Sequence, residues 1–136
     1  MEIFIVEDNP IKANDVMSAL ETAFPGCTID RARALDSSKE MILERAKHDG
    51  FYDVIISDMW FPEEDYGPEI PELGFTFIHW LEECNFQVPV IICSTVQYSM
   101  KTDSIIGAVH YADKTDLVKE FKTLIELTSQ YKGDNS

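Results

Sequence analysis

Short apolar runs alternate along the chain with stretches of helical period. The runs are rich in β-branched residues, and each is followed by a segment whose apolar residues recur every three or four positions. The predicted strands cover residues 2–6, 27–31, 53–58, 88–94 and 108–113. This alternation predicts an α/β fold, with a parallel sheet covered by helices on both faces.

The predicted helices begin at recognisable signals. Asn9 can cap the first helix, and Pro10 suits its first turn. A capping box, Ser37-x-x-Glu40, predicts the start of the second helix, and the fifth is expected to run from Thr115. Apolar stripes expected to face the core are formed by Ala13, Val16, Met17, Leu20 and Phe24 in the first helix and by Leu117, Phe121, Leu124 and Ile125 in the last.

Three segments break the regular alternation. Residues 63–73 contain two prolines, a glycine and five acidic residues, which predicts a surface loop. The fourth helix, within residues 96–106, lacks a clean apolar stripe and is expected to be short or frayed. Residues 132–136 are expected to form a disordered tail, so that residues 1–131 make up a single domain.

Composition narrows the possible functions. The 136-residue chain has a formal net charge of −14, which would repel a phosphate backbone and argues against nucleic-acid binding. Its apolar runs are too short to span a membrane, and its first residues lack the features of a secretory signal. Cys27, Cys84 and Cys93 are widely spaced and form no C-x-x-C motif, so we expect reduced thiols in a cytoplasmic protein.

Polar side chains stand at the carboxyl ends of four predicted strands, where the functional crevice of an open α/β sheet lies. They are Glu7 and Asp8, Asp58, Ser94 with Thr95, and Lys114. Any one of these carboxylates alone could be a simple turn former or helix cap. Three carboxylates in one crevice, however, require a divalent cation or an ammonium group nearby. The pattern therefore predicts a metal site.

This set of groups suits phosphoryl transfer to a carboxylate. An aspartate can attack phosphorus to form an acyl phosphate if Mg²⁺ and a cation neutralise the charge on the phosphoryl oxygens. Two further carboxylates would hold the Mg²⁺, a lysine would bind one phosphoryl oxygen, and a serine hydroxyl would donate a hydrogen bond to another.

Four segments of the chain, each at a predicted strand end, carry a family resemblance. In residues 3–10, 53–62, 88–95 and 107–114 the sequence resembles the receiver domain of bacterial two-component response regulators, the CheY-like superfamily. The resemblance extends over nearly the whole length. It implies a flavodoxin-like, doubly wound sheet of five parallel strands in the order 2-1-3-4-5.

The resemblance also implies roles for individual residues. Asp58 would be the phosphoacceptor and a metal ligand, Asp8 a direct Mg²⁺ ligand, and Glu7 a second acidic ligand. The main-chain carbonyl of Trp60 would complete the protein's share of the metal shell.

Three further residues would bind the phosphoryl group or respond to it. Ser94 would be the switch hydroxyl, Lys114 the phosphate-binding lysine, and Tyr111 the aromatic switch that moves with Ser94. Considered alone, Tyr111 could be a half-buried sheet residue and Lys114 a solvated lysine. In this family a proline normally follows the lysine through a cis bond, whereas Thr115 follows here, and we expect a trans bond.

The expected function is that of a stand-alone receiver rather than an enzyme. It would accept a phosphoryl group from a sensor histidine kinase or a histidine phosphotransfer protein and then switch its binding to an unknown protein target. The alternative is a pseudo-receiver, an interaction module that works without phosphorylation. A haloacid-dehalogenase-type phosphohydrolase is excluded because Trp60 stands where it needs a second acid. A flavodoxin-like cofactor binder is excluded because residues 7–9 would repel its phosphate.

Overall fold

The computed structural model describes residues 1–96, 98 and 102–134, with side chains of the last helix described as far as Thr128. The strands are β1 (Glu2–Val6), β2 (Thr28–Ala32), β3 (Val54–Ser57), β4 (Phe61–Pro62), β5 (Glu69–Ile70), β6 (Val90–Ser94) and β7 (Ile105–His110). The helices are α1 (Pro10–Ala23), α2 (Leu35–Ala46), α3 (Leu73–Glu83) and α4 (Leu117–Asp134).

Five parallel strands form the main sheet in the order β2-β1-β3-β6-β7. Setting aside the small separate sheet of β4 and β5, this is the predicted order 2-1-3-4-5. The fold-class prediction is therefore confirmed. Every residue of β3 and β6 is buried, as expected for central strands that are covered on both faces.

Helices pack on both faces of the sheet. On one face, α1 and α4 pack against it through residues such as Leu20 and Phe121. On the other, α2 and α3 pack through residues such as Ile42 and Phe77. All residues of the predicted stripes of α1 and α4 are fully or partly buried, and all except Ala13 belong to the apolar cluster on this first face of the sheet.

The start of α1 is as predicted, but that of α2 is not. The Asn9 side chain accepts hydrogen bonds from the backbone N–H groups of residues 11 and 12. The predicted capping box at Ser37 is wrong, because α2 already begins at Leu35. A tertiary contact takes the place of a cap: the backbone N–H of Asp36 donates to the carbonyl of Glu63, at 2.9 Å.

The last strand lies earlier in the sequence than predicted. It covers Ile105–His110 instead of residues 108–113, because β7 pairs along β6 from the Val90–Ile105 position onward. Residues 105 and 106 are therefore strand, although they were predicted as the end of a fourth helix. Among the other described residues of that predicted helix, 96, 98 and 102–104 are not helical, whereas 97 and 99–101 lie outside the described residues.

The acidic segment 63–73 is more ordered than the predicted loop. Phe61–Pro62 and Glu69–Ile70 pair antiparallel and form a short hairpin, which is anchored by the fully buried Phe61. At position 74, in the first turn of α3 after this hairpin, only glycine fits without a close contact. A Cβ atom there would lie 2.5 Å from the carbonyl oxygen of Asp58 and 2.6 Å from Sδ of Met59. The glycine thus lets α3 approach the candidate phosphoacceptor closely.

Helix α4 continues to Asp134, so the backbone of residues 132–134 is helical where the sequence predicted a tail. The division into a domain of residues 1–131 and a tail stays a prediction. None of the helices in the described part of the chain is long and apolar enough to cross a membrane.

Candidate functional site

A crevice of about 280 Å³ opens at the carboxyl ends of β1, β3 and β6. Its position is the one expected for an open α/β sheet. It is lined by Glu7, Asp8, Asn9, Lys12, Asp58, Trp60, Glu69, Ser94, Thr95 and Val96.

Three predicted carboxylates converge in this crevice. Glu7, Asp8 and Asp58 each offer an oxygen, and these oxygens all lie within 4.8 Å of one another. The backbone places them there: the N–H of Glu7 donates to the carbonyl of Ala32, and the N–H of Asp58 donates to that of Val6. Both residues thus continue the hydrogen bonding of adjacent parallel strands by one step, which brings their side chains to the same edge.

Lys12 lies at the centre of the site, and the sequence analysis missed this residue. Its Nζ lies 2.7 Å from Glu7 Oε1 and 3.0 Å from Asp58 Oδ1, and it donates to the carbonyl of Cys93 at 2.7 Å. The Lys12 side chain is only 7% exposed. One signal could have revealed it: Lys12 lies four residues before Val16 and therefore belongs to the buried stripe of α1. A charge at such a position needs a partner.

The pKa values of Lys12 and Glu7 follow from these contacts and from burial. Burial by itself would lower the pKa of Lys12, but the carboxylates of Glu7 and Asp58 raise it above its ordinary value. Burial, and next the negative charge of Asp58, raise the pKa of Glu7 to about 7, while Lys12 acts in the opposite direction. Lys12 is therefore a permanent cation, and Glu7 can exchange a proton near neutral pH.

The predicted switch hydroxyl lies in the crevice. Ser94 ends β6 and is buried, and its Oγ accepts a hydrogen bond from the N–H of Val96 at 3.2 Å. Its carbonyl accepts from the N–H of Tyr111 at 2.8 Å. Ser94 is thus linked directly through the backbone to the position predicted as the aromatic switch.

Lys114 and Tyr111 lie elsewhere. Lys114 is exposed in a turn and is not among the residues that line the crevice. The Tyr111 hydroxyl donates to the carboxylate of Asp15 on α1, and this bond is the main reason that the pKa of Tyr111 is raised to about 12. Lys12 Nζ lies 5.7 Å from the centre of the Tyr111 ring. The described chain contains no cis peptide bond, in agreement with the trans bond expected before Thr115.

The acidic hairpin adds a fourth carboxyl group, which sequence reasoning also missed. Glu69, the first residue of β5, lines the crevice. Hydrogen bonding with the Asp8 carboxyl group, followed by burial and by the charges of Asp8 and Asp58, raises the pKa of Glu69. The signal was absent from the local sequence because it depends on the pairing of β4 with β5.

Trp60 lies at the rim of the crevice. Its side chain is half-exposed, and its Nε1 donates to the hydroxyl of Tyr98 at 2.8 Å. The indole therefore has a fixed partner on the segment after β6, close to Asp58 and Val96. The predicted use of its main-chain carbonyl as a metal ligand stays a prediction.

The donor set is suited to a hard divalent cation. Carboxylate oxygens are the ligands that Mg²⁺ prefers, and three of them share one small region. The ammonium of Lys12 already contacts two of these groups, Glu7 and Asp58. A bound metal ion would therefore share both carboxylates with a resident cation.

Comparison with known proteins supports the fold. No family model matches the chain, and no curated protein matches it. Among solved structures, the chain is similar to a response regulator receiver domain protein from Clostridium thermocellum, with 14% identity and a TM-score of 0.71; the match covers 99% of this chain and 98% of the other.

Two further solved structures show the same likeness. The phosphorylated cyanobacterial phytochrome response regulator RcpA has 17% identity and a TM-score of 0.63, with 93% of this chain and 89% of the other covered. The Mn²⁺-bound form of another response regulator has 13% identity and a TM-score of 0.61, with 95% and 89% covered. The chain therefore has the fold of response regulator receiver domains.

Proposed function

We propose that this chain, which has the receiver fold, accepts a phosphoryl group on Asp58 from a phosphohistidine donor in a Mg²⁺-dependent reaction. Phosphorylation then switches its binding to other proteins. One observation carries the proposal. Asp58 lies at the carboxyl end of β3, with two further carboxylates and a buried ammonium around it. These are the groups that phosphoryl transfer to a carboxylate requires.

The reaction needs no other protein nucleophile. A carboxylate oxygen of Asp58 forms a new P–O bond while the P–N bond to the donor imidazole breaks. The electron pair of that bond stays on the ring nitrogen, and a donor ring that is protonated on its second nitrogen leaves as neutral imidazole. Asp58 Oδ1 accepts from the N–H of Met59 at 2.8 Å, which fixes the carboxylate orientation.

Four groups would hold the metal ion: the carboxylates of Glu7, Asp8 and Asp58 and the main-chain carbonyl of Trp60. Mg²⁺, when bound, would supply charge neutralisation for the phosphoryl oxygens. The Mn²⁺-bound response regulator with the same fold supports a divalent metal ion in this fold.

Ser94 would donate its hydroxyl hydrogen to a phosphoryl oxygen. In the present arrangement Oγ accepts from the N–H of Val96, which leaves its own hydrogen free to point into the crevice. Movement of Ser94 toward the phosphoryl group would pull on its backbone bond to Tyr111. This is a direct route from phosphorylation to the surface beside α1.

The proposed partners are proteins. A sensor histidine kinase or a histidine phosphotransfer protein would supply the phosphoryl group, and an unidentified protein would receive the signal, in the cytoplasm. The net charge of −14 argues against nucleic acid as a target.

A pseudo-receiver is the second candidate, and one observation favours it. Lys12 already pairs with both Glu7 and Asp58, so these carboxylates have a buried partner without a metal ion or a phosphoryl group. Such a crevice could be a purely structural ion cluster.

Incubation with acetyl phosphate separates the two candidates. The receiver proposal predicts that the wild-type chain gains the mass of one phosphoryl group in Mg²⁺ buffer, and that it gains none in EDTA. The Asp58→Asn variant should gain none in either buffer. Wild-type protein that stays unlabelled in Mg²⁺, while remaining folded, would favour the pseudo-receiver.

A further inference from the structure

We infer that Lys12, from the first turn of α1, is the lysine that binds the phosphoryl group on Asp58, in place of Lys114. This inference rests on the proposed function and assigns its cation. The resemblance to receiver domains gives that role to Lys114, in the turn after β7, whereas the structure places the buried ammonium of Lys12 beside Asp58.

The contacts of Lys12 are those of a built site. Three polar groups surround its ammonium: Glu7 Oε1 at 2.7 Å, the Cys93 carbonyl at 2.7 Å and Asp58 Oδ1 at 3.0 Å. An ammonium has three N–H donors, so each of them has one partner. These partners come from β1, β6 and the end of β3, and they hold the lysine between three neighbouring strands.

The contact with Asp58 is the one that phosphorylation would change. Forming the P–O bond removes the carboxylate charge and adds oxygen atoms with a larger negative charge directly beside it. Lys12 can exchange its bond to Oδ1 for a bond to a phosphoryl oxygen without leaving Glu7 or the Cys93 carbonyl. A lysine acts as a point charge toward phosphate, so this exchange requires only a short movement of its flexible stem.

Charge balance favours the same assignment. Glu7 and Asp58 are 4% and 12% exposed, and Asp8 lies within the same cluster. A phosphoryl group entering this crevice meets three acidic side chains, and Lys12 is the one basic residue that lines the crevice in the described part of the chain. Removing that charge from a poorly solvated site would oppose transfer strongly.

Lys114 does not share this environment. It is exposed in the turn after β7, and among the described residues it forms no ion pair with an acidic side chain. A lysine that is free in solvent must lose its side-chain freedom before it can contribute to the crevice, whereas Lys12 is already held in place.

The test compares lysine-to-methionine variants of the full chain. Wild type, Lys12→Met, Lys114→Met and the exposed control Lys122→Met are incubated with acetyl phosphate and Mg²⁺, and the initial labelling rate is measured by intact mass. We expect Lys12→Met to lose at least about 10-fold in rate. Lys114→Met and Lys122→Met should stay within about twofold of wild type, as is typical of surface substitutions. Lys12→Arg, which keeps the charge, should recover part of the loss.

The outcomes separate the two proposals. If wild type takes no label, the proposed phosphoacceptor function fails. If wild type is labelled and Lys12→Met is labelled equally fast, or if Lys114→Met loses 10-fold or more, the assignment of Lys12 is wrong while the function stands. Far-ultraviolet circular dichroism shows whether Lys12→Met is folded. Should it not fold, the Lys114→Met result alone decides: a rate near wild type supports Lys12, and a large loss overturns the assignment.

Discussion

The buried Glu7 should make the metal-free protein less stable as the pH rises from acidic to neutral. Its pKa is raised to about 7, chiefly by burial and then by the charge of Asp58. In the unfolded chain the same carboxyl has its ordinary pKa of 4.5. Between these two values the folded protein keeps a proton on Glu7 that the unfolded chain has released. The unfolding free energy therefore falls with rising pH in this window.

The size of the effect follows from the shift. A difference of 2.5 pKa units, from 4.5 to about 7, corresponds to roughly 3 kcal/mol at 1.36 kcal/mol per unit. This contribution is fully present below pH 4.5 and is lost as the pH passes through about 7. Other carboxylates titrate in the same range, so the informative quantity is the difference between wild type and a variant without this group.

Urea unfolding in EDTA at several pH values measures that difference. The unfolding free energy of wild type minus that of Glu7→Gln should fall between pH 4.5 and pH 7, and Asp58→Asn should make the fall smaller because one cause of the shift is removed. The exposed variant Glu44→Gln serves as a control and should show no such fall. A difference that stays flat, or that rises with pH, would refute the reasoning and would mean that Lys12 holds Glu7 as a carboxylate throughout this range.

Three further predictions concern the rest of the crevice and the thiols. Replacing residues 63–73 with a short glycine-containing turn should change the rate of phosphoryl transfer from the kinase more than the rate from acetyl phosphate, because the hairpin borders the site. Equal changes in the two rates would mean that the segment is only a surface elaboration. Trp60→Asn combined with Val96→Glu should speed hydrolysis of the acyl phosphate by about 10-fold or more, because neither native side chain can orient an attacking water. The loss of label from purified phosphoprotein in Mg²⁺ buffer measures this rate. In native protein, iodoacetamide should modify the exposed Cys84 and spare the buried Cys93, because burial raises the pKa of Cys93 to about 12. Peptide mass mapping that finds both thiols equally modified would contradict the burial of Cys93.

The sequence predicted those parts of the fold that depend on local pattern. The apolar run of β3 lies between Asp53 and Asp58, so both its strand character and its polar ends are visible in the sequence. By contrast, Ile105 and Ile106 suit a helix as well as a strand, and only pairing with β6 makes them strand. The hairpin of β4 and β5 likewise depends on long-range burial of Phe61.

The candidate site likewise has residues that the local sequence predicted and residues that depend on long-range contacts. The rule that strand ends meet at one edge located Glu7, Asp8, Asp58 and Ser94, because these residues directly follow or end predicted strands. Lys12 was missed because it enters the crevice from the first turn of a helix and not from a strand end. Its position on the buried stripe of α1 was the physical signal, and it becomes decisive only when the partners on the neighbouring strands are known.

Chemical trapping of the acyl phosphate tests the central claim most directly. Protein incubated with acetyl phosphate and Mg²⁺ is reduced with borohydride, which converts an aspartyl phosphate to homoserine, and the modified residue is then located by peptide mass spectrometry. The account predicts homoserine at position 58, dependent on Mg²⁺ and absent without the phosphodonor. Modification at another carboxylate, or unmodified Asp58 in folded wild-type protein, would contradict it.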